Sequence, residues 1–180
     1  STIKAIDFKV GNLYYKLLSS KNKTVTIIYS DEYTTLKEVI VPDSVAYDNT
    51  TYSVISISKN AFQYCSSIER MTLSSNITSI DKSAFIGCFF TDGNFVNNST
   101  LNAEENDYWG AIFAEKDLDG LIINNTTVVG CRNYVTNITI PYYITHIESE
   151  VFYRCPLLTS IVWNARESSP LLWGGGTNEL

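Results

Sequence analysis

Histidine and methionine each occur once in the 180 residues, and cysteine and proline four times each. With His146 alone, any serine–histidine–aspartate or cysteine–histidine scheme must run through a single residue. It lies between Thr145 and Ile147 and reads as a solvent-facing loop position. No Cys-x-x-Cys occurs, so a zinc site lacks its usual ligands. Asp117-Leu118-Asp119-Gly120 opens like a calcium loop, but no glutamate follows at the required spacing. Gly174-Gly175-Gly176 lacks the Lys-Ser/Thr of a phosphate loop. No cofactor or metal is expected. Apolar runs stay far short of the about 18 residues of a membrane span, so no membrane insertion of this segment is expected. Positive charge is scarce and scattered, with 13 Lys and Arg against 19 Asp and Glu and a net charge of −6. A polyanion is repelled on average, which argues against nucleic acid and anionic membranes as partners. The sequence begins without methionine or a charged-then-apolar leader, as expected of a mature chain after leader removal or of a piece of something longer.

What is abundant points to a folded protein. Hydrophobic residues make up 44%, and the 12 Tyr, 8 Phe and 3 Trp argue against disorder. A chain of this length buries roughly 70% of its unfolded surface as one domain.

The order of residue types repeats. Ile68, Met71 and Leu73 are followed by Ile77 and Ile80, then Ala84-Phe85 and Cys88. Phe62 to Phe85, Cys65 to Cys88 and Ile57 to Ile80 are each 23 residues apart. Leu73, Ile77, Ile80, Phe85 and Cys88 recur as Ile140, Ile144, Ile147, Phe152 and Cys155, all shifted by 67. A period of this length lies in the leucine-rich-repeat range. The expected fold is therefore a leucine-rich-repeat solenoid, α/β in class but β-dominated. Each repeat should hold a short parallel strand and one helical or 3-10 turn, capped by Ser58 or Asp81. Inserted β-hairpins interrupt it: Gly11–Tyr15 with Thr24–Tyr29 at the N-terminus, and Val45–Val54 around Asp48-Asn49. Gly120-Leu121 and Thr127-Val128-Val129 ahead of Val135 echo the N-terminal hairpin ahead of Leu36. The expected organisation is one domain over residues 1–166, with a capping hairpin at 1–35, an irregular insert at 89–134, and a tail at 167–180.

Strand alternation assigns the residues between the apolar positions to the outer, concave face. Candidate ligand-binding residues there are Lys37, Glu38, Glu69, Arg70, Thr72, Asn137, Thr139 and Ser160, flanked by Ile40, Thr136, Thr159 and Val162. Tyr108 and Trp109 are candidates too, because flat rings stack on sugars, although packing of the insert onto the coil edge is the favoured role for them. Glu104, Glu105 and Asp107 beside them read as a solvated loop rather than a glycosidase pair. Cys65, Cys88 and Cys155 share one repeat position and read as small buried hydrophobes, with a Cys65–Cys88 disulfide left open.

Tyr52–Cys65 and Ile138–Ile147 resemble the BspA-type (Treponema pallidum-like) leucine-rich repeats, with a consensus close to SLTSITIPSSVTSIGxxAFxxC. Gly11-Asn12-Leu13-Tyr14-Tyr15, Asn94-Phe95-Val96-Asn97-Asn98 and Asp107-Tyr108-Trp109-Gly110-Ala111 resemble segments of surface proteins from Bacteroides and related gut anaerobes. The likeness covers roughly residues 8 to 165, with Ser58, Asp81 and Glu148 standing where the repeat has glycine. It implies a secreted or cell-surface protein, outer membrane-attached, with no enzymatic activity. Such a protein would be a monomeric interaction or adhesion module for a protein or glycan, on host matrix or another cell surface. A structural spacer within a larger surface protein is the alternative. The resemblance transfers no site residues.

Overall fold

The computed structural model describes residues 7–102 and 109–165. Its strands are β1 (Asp7–Val10), β2 (Leu13–Ser19), β3 (Thr24–Ile27), β4 (Glu38–Ile40), β5 (Ser44–Tyr47), β6 (Thr50–Ile57), β7 (Arg70–Leu73), β8 (Ser79–Ile80), β9 (Phe89–Thr91) and β10 (Phe95–Asn97). These are followed by β11 (Ile112–Ala114), β12 (Lys116–Leu118), β13 (Leu121–Asn124), β14 (Thr127–Cys131), β15 (Asn137–Ile140), β16 (His146–Ile147) and β17 (Ser160–Trp163). Among the described residues the one helix is a 3-10 turn at Asp31–Thr35, so the fold is β-dominated. The described residues form two compact units: those up to Cys88 with those in Gly93–Ile112, and Phe89–Asp92 with those from Phe113.

In the first unit, β1, β2 and β3 are antiparallel neighbours, and β3 then pairs parallel with β6. The hairpin expected between β2 and β3 is present, and β1 extends it through a turn at Gly11. β5 and β6 form the hairpin expected at Asp48-Asn49, both of which take positive φ (46° and 59°). Two left-handed central residues match the right-handed twist of the flanking strands. β6 outlasts the hairpin and continues parallel to β3 and β8. A second sheet is wholly parallel: Val39 of β4 and Phe95 of β10 both stand beside Met71 of β7.

That third strand lies inside the stretch read as an irregular insert. The strand was missed because no Ala-Phe or cysteine anchor accompanies it. Trp109 serves in their place. Phe62 N–H donates to Ala84 O at 2.8 Å, and Phe85 N–H donates to Trp109 O at 2.7 Å. The rings follow the same order, with centroids 4.9 Å apart for Tyr33–Phe62, 5.6 Å for Phe62–Phe85 and 6.4 Å for Phe85–Trp109. All four are buried. Tyr33 ends the column, its hydroxyl donating to Ile28 O and accepting from Tyr14 N–H.

The expected helical turn at each Ala-Phe is replaced by hydrogen-bonded turns that do not form a helix. Ala61 N–H reaches Ser58 O and Ala84 N–H reaches Asp81 O, but the next residues do not continue a helix. Asn60, Ser83 and Glu150, which share one repeat position, have φ of 58°, 61° and 62°. A left-handed residue cannot extend a right-handed helix, so the segment turns and delivers the following Ala-Phe inward. Asp81 caps only locally, its Oδ1 accepting from Lys82 N–H.

The second unit repeats the starting arrangement. β12, β13 and β14 are antiparallel neighbours, and β14 pairs parallel with β16. β15 and β17 form a parallel pair with Ile138 beside Ile161. The core gathers Leu121, Ile123, Val128, Ile138, Ile140 and Ile147, with Cys131 and Cys155. Arg132 is buried: its Nε donates to Asp117 Oδ2 at 2.5 Å and its Nη2 to Phe89 O at 3.3 Å. The run that opened like a calcium loop is thus a hairpin turn, with the Asp117 carboxylate also accepting from Gly120 N–H.

Removing the central ring of the column leaves a cavity lined by Phe62, Phe95 and Trp109. Phe85→Ala is expected to lower the unfolding free energy by roughly 3–5 kcal/mol, and Ile40→Ala, on the surface, by no more than about 0.5 kcal/mol. Equilibrium urea unfolding measures both, and a Phe85 cost no larger than that of Ile40 would show that the rings do not hold this unit.

Candidate functional site

The sheet β4–β7–β10 buries Val39, Met71 and Leu73 on one side and presents the alternate residues on the other. Register places Glu38 beside Arg70, and Ile40 beside Thr72, which in turn stands beside Val96. Arg70 Nη2 donates to Asn94 Oδ1 at 3.4 Å. Two parallel rows result, one polar (Glu38, Arg70, Asn94) and one mostly apolar (Ile40, Thr72, Val96). Ile40 is 64% exposed and Val96 38%. At the start of these strands Lys37 Nζ lies 3.4 Å from Glu69 Oε1, with both side chains about half exposed. Such a pair contributes little to stability.

In the second unit the corresponding face carries Asn137, Thr139, Ser160 and Val162, all exposed. Ser160 Oγ donates to Asn137 Oδ1 at 2.5 Å, Asn137 Nδ2 donates to Thr136 Oγ1 at 2.9 Å, and Thr139 stands beside Val162. The candidate residues therefore fall into two sets, Lys37, Glu38, Glu69, Arg70 and Thr72 in one unit and Asn137, Thr139 and Ser160 in the other.

Two candidates stand elsewhere. Trp109 is 4% exposed, packed against Phe85 and Phe95, and so offers no ring face to a sugar. Its place as the next rung of the ring column is the physical reason. Tyr108 lies outside the described residues, as do Glu104, Glu105 and Asp107. Asn94 and Val96 escaped the sequence reading because their strand was missed. The alternation around Phe95 was the available signal.

His146, read as a loop residue, begins β16 half-buried beside Thr127. All four cysteines are free and buried. Burial pushes the Cys65 thiol up to about 12. A hydrogen bond with Cys155, and then burial, push Cys131 far upward. Cys88 Sγ donates to Phe62 O at 3.1 Å. Raised thiol pKa values suppress the thiolate that nucleophilic or metal-binding chemistry requires. Among the described residues no group of three His, Cys, Asp or Glu side chains is placed to hold a metal, and no helix is long and apolar enough to cross a membrane.

Short parallel strands linked by tight turns, with one ring per repeat in the core, define a β-dominated repeat protein. Residues 19–107 and 119–169 match the BspA type leucine rich repeat region in six copies, and the chain belongs to that family. The family is typically non-enzymatic, which fits a protein-interaction or structural role. No curated protein matches the chain. Among solved structures, a leucine-rich repeat protein from Bacteroides capillosus is 17% identical with a TM-score of 0.41, over 87% of this chain and 97% of that one. A leucine rich cell surface protein from Faecalibacterium prausnitzii is 16% identical with a TM-score of 0.35, over 92% of this chain and 56% of that one. The Treponema pallidum leucine-rich repeat protein is 12% identical with a TM-score of 0.38, over 88% and 82%.

Because the folded pKa of Cys65 lies above its ordinary value of 9.0, its contribution to stability is whole below about pH 9 and is lost as pH rises toward 12. Stability followed by urea unfolding is expected to decline across that window. A thiol-specific disulfide reagent at pH 8 should label the native protein slowly and all four cysteines at once after unfolding. Rapid labelling of the native protein would show that the thiols are not packed as described.

Proposed function

We propose that this protein is a non-catalytic recognition module, displayed at the cell surface or secreted, whose parallel sheets bind a protein or glycan. In this reading the repeats of each unit stack as a leucine-rich-repeat solenoid of about 23 residues per turn. The observation that carries the reading is the row Ile40–Thr72–Val96. Two exposed aliphatic side chains stand there in strict register on a rigid parallel sheet, beside a charged and amide row. An apolar strip with a polar margin has the anatomy of a binding patch, and a backbone already fixed by its ladder loses little entropy on binding. Asn137, Thr139 and Ser160 supply a hydroxyl and amide surface on the second unit, suited to a glycan or a polar protein face. Family membership supports display at the cell surface and adhesion to host matrix or another cell as the setting. A spacer needs no exposed Ile40.

An array of matrix proteins and glycans identifies the partner. Arg70→Glu combined with Thr72→Trp should then weaken binding by about tenfold or more, as expected for disruption at the centre of a patch. The measurement is equilibrium affinity on an immobilised partner. Unchanged affinity would remove this face from the mechanism, and an array without any partner would favour the structural role.

A further inference from the structure

The geometry points to a separate docking site on the first unit, a groove along the free edge of β4 that takes an extended, basic peptide as an added strand. It shares Glu38 and Ile40 with the sheet face proposed above, but it uses the backbone edge of the strand rather than the row that runs across the sheet.

Among the described residues β4 is the last strand in its sheet, with β7 on one side only. On that side Arg70 N–H donates to Lys37 O at 3.2 Å, and Val41 N–H donates to Thr72 O at 2.9 Å. Backbone groups alternate sides along a strand, so Lys37, Val39 and Val41 are directed toward β7. The N–H and C=O groups of Glu38 and Ile40 are directed away from it. They border a groove of about 480 Å³ whose other walls are the β1–β2 turn at Val10-Gly11, Pro42, and Ala46 of β5. The volume lies within the range of ligand sites.

The second use of the same starting arrangement shows that this space is not an obligatory product of the topology. Gly11 and Gly120 occupy matching turns, ahead of Leu36 and Val135. A Cβ placed on Gly120 would come within 2.5 Å of Val135 Cγ1, so that turn is shut onto its strand. A Cβ placed on Gly11 would meet nothing within 4 Å. The first turn stands away from β4 and leaves the edge reachable.

The lining selects the occupant. Two residues' worth of strand-directed donors and acceptors fit a polypeptide backbone, which a glycan does not reproduce. Ile40 and Pro42 favour aliphatic side chains at alternate positions. Among the described residues Glu38 is the one charged residue in the lining, and it calls for lysine or arginine opposite it. A second copy of this chain is disfavoured, since antiparallel pairing of β4 with β4 through both outward residues sets Glu38 against Ile40 and places no cation opposite the carboxylate. Pro42 also ends the free edge by withholding a donor.

The test is selection of random linear dodecapeptides displayed on phage against the intact chain, followed by affinity measurement on the synthetic winners. The expected winners alternate aliphatic residues around a lysine or arginine. Their affinity should fall about tenfold or more on alternate N-methylation of the peptide, on Ala46→Trp, which fills the groove from an exposed position, and on Ile40→Pro, which removes the outward N–H. Val96→Asp lies two strands away on the sheet face and should leave peptide affinity unchanged, so failure of the face and failure of this site are told apart. Retained thermal unfolding of Ala46→Trp certifies that variant even if Ile40→Pro does not fold. The proposal is overturned by any of three results: no peptide enriched over a selection on Ala46→Trp, winners indifferent to N-methylation and to Ala46→Trp, or self-association of the chain that Ala46→Trp abolishes.

Discussion

One buried ring per repeat, in contact with the ring of the next, is the constraint on which the first unit depends. Tyr33, Phe62, Phe85 and Trp109 form that column, and the backbones of Phe62 and Phe85 are each hydrogen-bonded to the next rung. The demand on the chain is local and severe. To point the ring inward within so short a segment, the residue two before Phe62, Phe85 and Phe152 takes a left-handed conformation. The sequence uses Asn60, Ser83 and Glu150 there rather than glycine. Such a conformation costs roughly 1–2 kcal/mol for a residue with a Cβ, which burial of a phenyl ring offsets.

The same economy explains what could be read from the residues and what could not. Phe62 and Phe85 announced themselves because the same residue types recur at the same interval, and Asp48-Asn49 because a two-residue left-handed turn has few alternatives. The strand at Phe95–Asn97 stayed hidden because Trp109 performs the work of an Ala-Phe pair without looking like one. The repeat tolerates that exchange because the core needs a ring of the right bulk, and an indole supplies it. A helical turn was expected from Ser58 and Asp81 because capping residues precede Ala-Phe. The left-handed residue in between decided otherwise, and nothing in Asn60 or Ser83 advertises it as strongly as glycine would.

Of the candidate site, the alternation of Glu38, Arg70 and Thr72 against Val39, Met71 and Leu73 was accessible from period alone. The contribution of Val96 and Asn94 was not, since it follows from the register of a hidden strand. Equally unreadable was the contrast between the two starting hairpins. Both begin with a glycine turn and lead to a proline-terminated repeat strand. One is clamped by Arg132 and Asp117, whereas the other is anchored by the hydroxyl of Tyr33. An ion pair on a buried arginine and a hydrogen-bonded phenol satisfy the same topology with different local shapes, and only packing reveals which leaves space.

The parallel ladder of β4, β7 and β10 also has a mechanical meaning. Its hydrogen bonds lie along the direction in which the repeats stack, so tension in that direction loads one row of bonds at a time. Adjacent strands are separated by about 4.8 Å, whereas about 23 residues of released chain span roughly 75 Å when extended. Surrender of one repeat would thus multiply its length some fifteenfold, so the ladder is short and stiff only while its rows of hydrogen bonds hold.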